Sequence, residues 1–250
     1  DFYDEIFSIC KENRLIVYDR NDGYTIESAY CIAISWRWLI PIDENIKLIV
    51  LHDSILPKYR GYSPLVNMLL NRERYLGVTA FFAKDHYDNG DIVTQRTIEV
   101  HYPIKILEAI NLISRLYSEI VLYLLSIIRS QGQIKSIPQN EEEATYSLWR
   151  DSDDYRVDWN SSSHDISHFV YCVGYPFHCA SSLLNKELVR IADCELYKDL
   201  KIENRCPGKV LFIEDGYPIV VCGSGLIKIK ELKDEKGHSL LPFKKIRSEE

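Results

Sequence analysis

Three short runs, Asn13–Tyr18 (NRLIVY), Ala29–Ser35 (AYCIAIS) and Lys47–Leu51 (KLIVL), constrain the fold of this chain more than any other feature. Each is a nearly continuous stretch of Ile, Val, Leu and Tyr, and polar or turn-forming segments separate them. That is the pattern of strands buried on both faces. Sheets of such strands are usually parallel, carry helices on both faces, and bind ligands beyond the carboxyl ends of their strands. Chemistry is therefore expected just after each run.

Two more strands are predicted at Gly77–Ala83 (GVTAFFA) and Asp91–Val100 (DIVTQRTIEV), the second alternating as a half-exposed edge does. After Pro103 the apolar residues from Ile106 to Ile127 keep helical spacing and Gly132 supplies a stop, which predicts a long helix across the sheet. Between Ile104 and Ile128 lie Lys105, Glu108, Asn111, Arg115 and Glu119, too costly for a lipid span, so no membrane partner is expected. The polar, acidic stretch from Gln139 to Asp154 reads as an exposed connection. A short helix near His164–Val173 follows. Beyond it, segments punctuated by Asn185, Gly208, Asp215–Gly216 and Gly223–Gly225 read as a small antiparallel β unit. The fold class expected is α/β: a Rossmann-like, mostly parallel sheet with helices on both faces in residues 1–145. Residues 146–250 are expected to form a linker helix and a small C-terminal β-rich domain.

A net charge of −7 and a pI near 5.6 argue against a polyanionic partner, so no nucleic acid is expected. The seven cysteines are odd in number and contain no CxxC pair, which signals neither a disulfide framework nor a zinc site and points to a reducing cytoplasm. His164 and His168 have the spacing of metal ligands but lack a third ligand, and no metal is expected. The chain opens on Asp1, and its start does not resemble a signal peptide.

The chemistry-bearing residues concentrate in two segments. Leu51–Pro64 (LHDSILPKYRGYSP) follows one predicted strand, and Asp85–Ile92 (DHYDNGDI), with a turn built on Asn89–Gly90, follows another. Asp85 and Asp91 are explained by turn capping. Trp36 and Trp38, at a strand end, suit core packing and ligand contact equally.

These segments resemble the folate-dependent formyltransferases, close to methionyl-tRNA formyltransferase and closest to the enzymes that formylate nucleotide-linked amino sugars. The resemblance rests on His52–Gly61 (HDSILPKYRG), on the Gly77–Val78–Thr79 strand, on the Asp88–Asn89–Gly90 turn, and on the 36 residues between His52 and Asp88. Val157–Asp158–Trp159 and Pro207–Gly208–Lys209–Val210 extend it toward the C-terminus, over roughly Asn13 to Leu232. It implies an N-formyltransferase that moves the formyl group of 10-formyltetrahydrofolate, a co-substrate, to a nucleotide-linked amino deoxysugar, in the cytoplasm and as a homodimer. His52 would be the acid/base, accepting a proton from the attacking amine and returning one to the departing folate nitrogen. Asp88 would accept a hydrogen bond from it and fix its tautomer. Trp38, Leu39, Ile40, Lys84, Asp85, His86, Tyr87 and Asp88 would hold the folate, and Ser54, Arg60 and Tyr62 the acceptor.

The chain departs from the family in two places. Val50 stands where the family has an oxyanion-holding Asn, and Tyr62 where it has a second arginine. Three readings of Val50 follow: a backbone N–H or Ser54 takes over, water becomes the acceptor and the chain is a 10-formyltetrahydrofolate hydrolase, or the chain binds folate without turnover. Methionyl-tRNA formyltransferase is a further alternative. The family's opening strand, helix and second strand are not found ahead of Asn13, so some N-terminal sequence is expected to be missing.

Overall fold

The computed structural model describes residues 3–19, 21–23, 25–36, 40, 45–84, 86–130 and 132–243. A four-stranded sheet in the order β1-β2-β4-β5 is built from β1 (Tyr30–Ile34), β2 (Lys47–His52), β4 (Tyr75–Phe82) and β5 (Ile92–Glu99). β1 and β2 are parallel, whereas β2–β4 and β4–β5 are antiparallel. The α/β character was legible in the sequence, but the mostly parallel sheet expected is mixed among the described strands, because a buried apolar run looks the same in either direction.

The sheet's two faces have different jobs. Ile49 and Leu51 of β2 with Leu76, Val78 and Ala80 of β4 point into the main core, where α3 (Ile106–Arg129) lays Ile106, Ala109, Ile113, Leu116, Ile120 and Leu124 across β4 and β5. By length and composition α3 could span a membrane, but this stripe is buried in the protein. The alternate residues, Val50 and His52 of β2 and Thr79 and Phe81 of β4, face the other side by the period of two. There Val50, Leu56, Phe81 and Ile92 form a separate small cluster under the loop that leaves β2.

α2 (Pro64–Leu70) starts with Pro64 in its first turn, where a missing N–H costs nothing, and buries Leu65, Val66, Met68 and Leu69. It touches α4 (Ser163–Cys172), whose N-cap Ser162 Oγ accepts from Asp165 N at 3.1 Å. α4 packs on a five-stranded antiparallel sheet of order β7-β8-β11-β10-β9: β7 (Ala180–Leu184), β8 (Glu187–Tyr197), β9 (Val210–Glu214), β10 (Tyr217–Val221) and β11 (Leu226–Asp234). Asn185–Lys186 and Asp215–Gly216 close its tight hairpins with positive φ at both residues.

The run Asn13–Tyr18 does not form the expected strand. It follows the exposed helix α1 (Tyr3–Glu12), leaves Leu15, Ile16 and Tyr18 exposed, and makes no ladder with another described strand. A strand needs a neighbour as well as an apolar sequence, and propensity alone does not supply one.

Candidate active site

His52 is the last residue of β2, 8% exposed, on the face opposite α3. Its Nε2 lies 2.8 Å from the Tyr59 carbonyl oxygen. A carbonyl can only accept, so Nε2 carries the proton and the neutral ring keeps its lone pair on Nδ1. Nδ1 faces Asp88 Oδ2 at 3.7 Å. This corrects the expected arrangement: at 3.7 Å Asp88 is too far to take a hydrogen bond from His52, and its Oδ2 accepts instead from Gly61 N at 2.8 Å. The Tyr59 carbonyl sets the tautomer, and Asp88 stands where it attracts the ring once Nδ1 is protonated.

Tyr59 is itself held at both ends. Its N–H donates to Thr145 Oγ1 at 2.9 Å, and its hydroxyl donates to Glu73 at 2.6 Å and accepts from Asn71 at 2.9 Å. Gly61 is required at the next turn: its φ is +98°, and a Cβ there would lie 2.8 Å from Ser147 O. A Cβ on Gly90 would lie 1.6 Å from Phe82 O, so only glycine lets the Asp88 turn close on the end of β4.

Arg60 does not point to an acceptor. It is 1% exposed; Nε and Nη2 donate to Gln139 Oε1 at 3.1 and 2.8 Å, and Nη1 and Nη2 bind the Glu141 carboxylate at 2.8 Å each. These bonds hold the Glu141 carboxyl below the usual carboxylate range. Gln139 Nε2 in turn donates to Asp88 O at 2.7 Å and Gly90 O at 2.8 Å. Arg60 thus braces the turn that presents Asp88. Ser54 is fully buried and donates to Lys58 O at 2.7 Å, so its hydroxyl is engaged inside the loop. Val50 packs on Leu56, Phe81 and Ile92 and offers no donor.

The stretch expected to be an exposed connection is therefore part of the site. Besides Gln139 and Glu141, β6 (Tyr146–Ser147) pairs in parallel with β3 (Arg60–Gly61), and Thr145 O accepts from Arg60 N at 2.9 Å. Nothing local in that polar, acidic sequence signals such a role, since its partners lie 49 to 88 residues away. Asp53 was also missed. Its carboxylate is turned inward to accept from Tyr117 of α3, and burial raises its pKa against the opposing pull of Tyr117 and His52. Burial, with Asp53 alongside, pushes the Tyr117 hydroxyl strongly up.

Of the residues expected to hold folate, Trp38, Leu39 and Asp85 lie outside the described residues. Ile40 is half-buried, and His86 and Tyr87 are exposed. Lys84 is paired with Asp91 at 2.6 Å. Asn89 Oδ1, one residue from Asp88, is buried without a hydrogen-bond partner, an acceptor waiting for a donor. That fits the N–H-rich edge of a pterin.

The family model described as formyl transferase matches residues 36–110, and that described as formyl transferase, C-terminal domain, matches residues 150–242. Methionyl-tRNA formyltransferase of Streptococcus agalactiae is 32% identical over 183 residues, which cover 73% of this chain and 57% of that protein. The chain thus spans a little over half the length of such relatives. HypX from Aquifex aeolicus, solved in complex with tetrahydrofolic acid, matches with a TM-score of 0.68 at 25% identity, over 84% of this chain and 36% of its own. An N-formyltransferase from Helicobacter canadensis, solved with folinic acid and dTDP-3-aminofucose, matches with a TM-score of 0.63 at 17% identity, over 90% of this chain and 81% of its own, a likeness of fold.

Proposed function

The chain belongs to the formyl transferase family, and on that premise we propose that it moves the formyl group of 10-formyltetrahydrofolate to the amine of a nucleotide-linked amino deoxysugar. The observation that carries this reading is the orientation of His52, with Nε2 bonded to the Tyr59 carbonyl and Nδ1 turned to Asp88. In the reaction the amine nitrogen attacks the formyl carbon, and its proton passes to His52 Nδ1. The bond from that carbon to the folate nitrogen then breaks, and the same proton goes to the leaving nitrogen. One ring nitrogen serves both transfers while Asp88 balances the charge between them. With Ser54 engaged and Val50 apolar, neither side chain offers the oxyanion a donor.

Two features support a nucleotide-linked sugar as acceptor: the 36-residue interval from His52 to Asp88, which resembles the amino-sugar enzymes, and a net charge of −7, which does not favour RNA. The similarity to methionyl-tRNA formyltransferase supports aminoacyl-tRNA as the second reading. The test is incubation with 10-formyltetrahydrofolate and either a panel of nucleotide-linked amino sugars or methionyl-tRNA, following product mass and formate release. One added formyl group on a sugar, lost in His52→Ala, is the expected result. Formylated methionyl-tRNA alone selects the second reading. Formate without a formylated acceptor overturns the transferase reading in favour of a hydrolase.

A further inference from the structure

Three aromatic side chains with large exposed areas meet beside Asp88. Tyr62 is 43% exposed, Trp149 58% and Tyr87 74%. Tyr62 and Trp149 pack edge to face, with ring centroids 5.1 Å apart and planes at 79°; Tyr62 and Tyr87 lie 6.1 Å apart at 52°. The chain brings them there by construction. Tyr62 follows Gly61, whose N–H binds Asp88, Tyr87 precedes Asp88, and Trp149 lies two residues past the strand paired with Arg60–Gly61. Three large rings left half in water cost hydrophobic free energy that a monomer gains nothing from.

The next residue supplies a cation. Among the described residues Arg150 is tethered only by long contacts, Nη2 to Asn67 Oδ1 at 3.3 Å and Nη1 to Asp154 O at 3.4 Å, and its buried Nε has no partner there. Buried N–H groups of a guanidinium are normally satisfied, and an anion is the partner that suits them.

We propose that Tyr62, Tyr87 and Trp149 form a stacking platform for a nucleobase, with Arg150 holding the attached phosphate, so that this face binds the nucleoside diphosphate end of the acceptor. The inference rests on the nucleotide-linked reading above and adds the subsite that recognises it. An edge-to-face pair leaves ring faces open, and a base can lie on one of them. Tyr62 stands where the resembling enzymes carry an arginine, so the platform exchanges an ionic contact for a stacked one at that position. The acceptor's base is then anchored one residue from the carboxylate that faces His52.

The test is calorimetric titration of the chain with UDP, dTDP, GDP and ADP and with the matching nucleosides, with inorganic pyrophosphate as control, for wild type, Trp149→Ala, Tyr62→Ala and Arg150→Gln. Tetrahydrofolate binding, measured in parallel, reports that each variant is folded. Wild type is expected to bind at least one nucleoside diphosphate about tenfold or more tighter than pyrophosphate. Trp149→Ala and Tyr62→Ala should each weaken it about 5- to 100-fold, the range for one base on one ring. Arg150→Gln should weaken the diphosphate more than the matching nucleoside. Unchanged nucleotide affinity in both aromatic variants, or pyrophosphate binding as tightly as any nucleotide, overturns the subsite. If no nucleotide binds while a nucleotide-free amine is formylated, the subsite fails and formyl transfer stands. If nucleotides bind on the rings but no nucleotide-linked amine is formylated, the subsite stands and the acceptor reading fails.

Discussion

Replacing Thr79 by Val tests how the site is built, because the two side chains have nearly the same shape and differ by one hydroxyl. Thr79 is fully buried in β4, in register with His52. Its Oγ1 donates to Ser54 O at 2.7 Å and accepts from Leu56 N at 3.1 Å and Gln95 Nε2 at 2.8 Å. Gln95 keeps a second acceptor, Leu56 O, at 2.8 Å. The substitution therefore orphans two buried backbone groups, Ser54 O and Leu56 N–H, and opens no cavity. At about 1–3 kcal/mol for each unsatisfied group, the expected loss is about 2–6 kcal/mol. For a chain of this size that is roughly 4–24 °C in Tm. The loop it releases runs from His52 to Tyr59, whose carbonyl orients the His52 ring, and on the proposed mechanism a displacement of about 1 Å there can cost on the order of 100-fold in rate. Urea unfolding with steady-state formyl transfer reads both effects. Thr79→Ser, which keeps the hydroxyl and drops a methyl, should recover most of the rate. If Thr79→Val matches wild type within about 0.5 kcal/mol and in kcat, the hydroxyl does not hold the loop and the reasoning is refuted.

Val50→Asn, which restores an amide on the His52 face of β2, should raise kcat by up to about 100-fold while lowering stability by roughly 1–2 kcal/mol, since the amide enters an apolar cluster; an unchanged kcat would show that no oxyanion donor is lacking. Gln139→Leu should lower kcat at least about tenfold and destabilise by about 2–4 kcal/mol, because the Asp88–Gly90 carbonyls lose their donor and buried Arg60 loses an acceptor; kinetics equal to wild type would remove Gln139 from the site. Asp53 gives a pH signature. Burial raises its folded pKa above the unfolded value of about 3.9, so its stabilising contribution is complete below that value and declines as pH rises through the folded one. Asp53→Asn should therefore gain stability relative to wild type between about pH 4 and neutrality, measured by urea unfolding across that range. A difference that is flat or of opposite slope contradicts the burial argument.

The sequence alone determined the local parts of this protein. Apolar runs gave β1, β2 and β4, helical periodicity gave α3, and the motif His52–Gly61 with the Asp88–Asn89–Gly90 turn pointed to the candidate site, because each of these signals lies within a few neighbouring residues. Tertiary structure decided what depended on partners far apart in the chain. It chose the direction of each strand pair and denied Asn13–Tyr18 a neighbour. It also turned a polar, acidic connection into the brace of Asp88, through bonds from Gln139 to residues 49 and 51 positions away. The bond that sets the His52 tautomer comes from a backbone carbonyl, and every residue type carries one, so no side-chain pattern could have announced it. Side-chain chemistry is written in the sequence, but which lone pair meets which proton is settled only when the chain closes on itself.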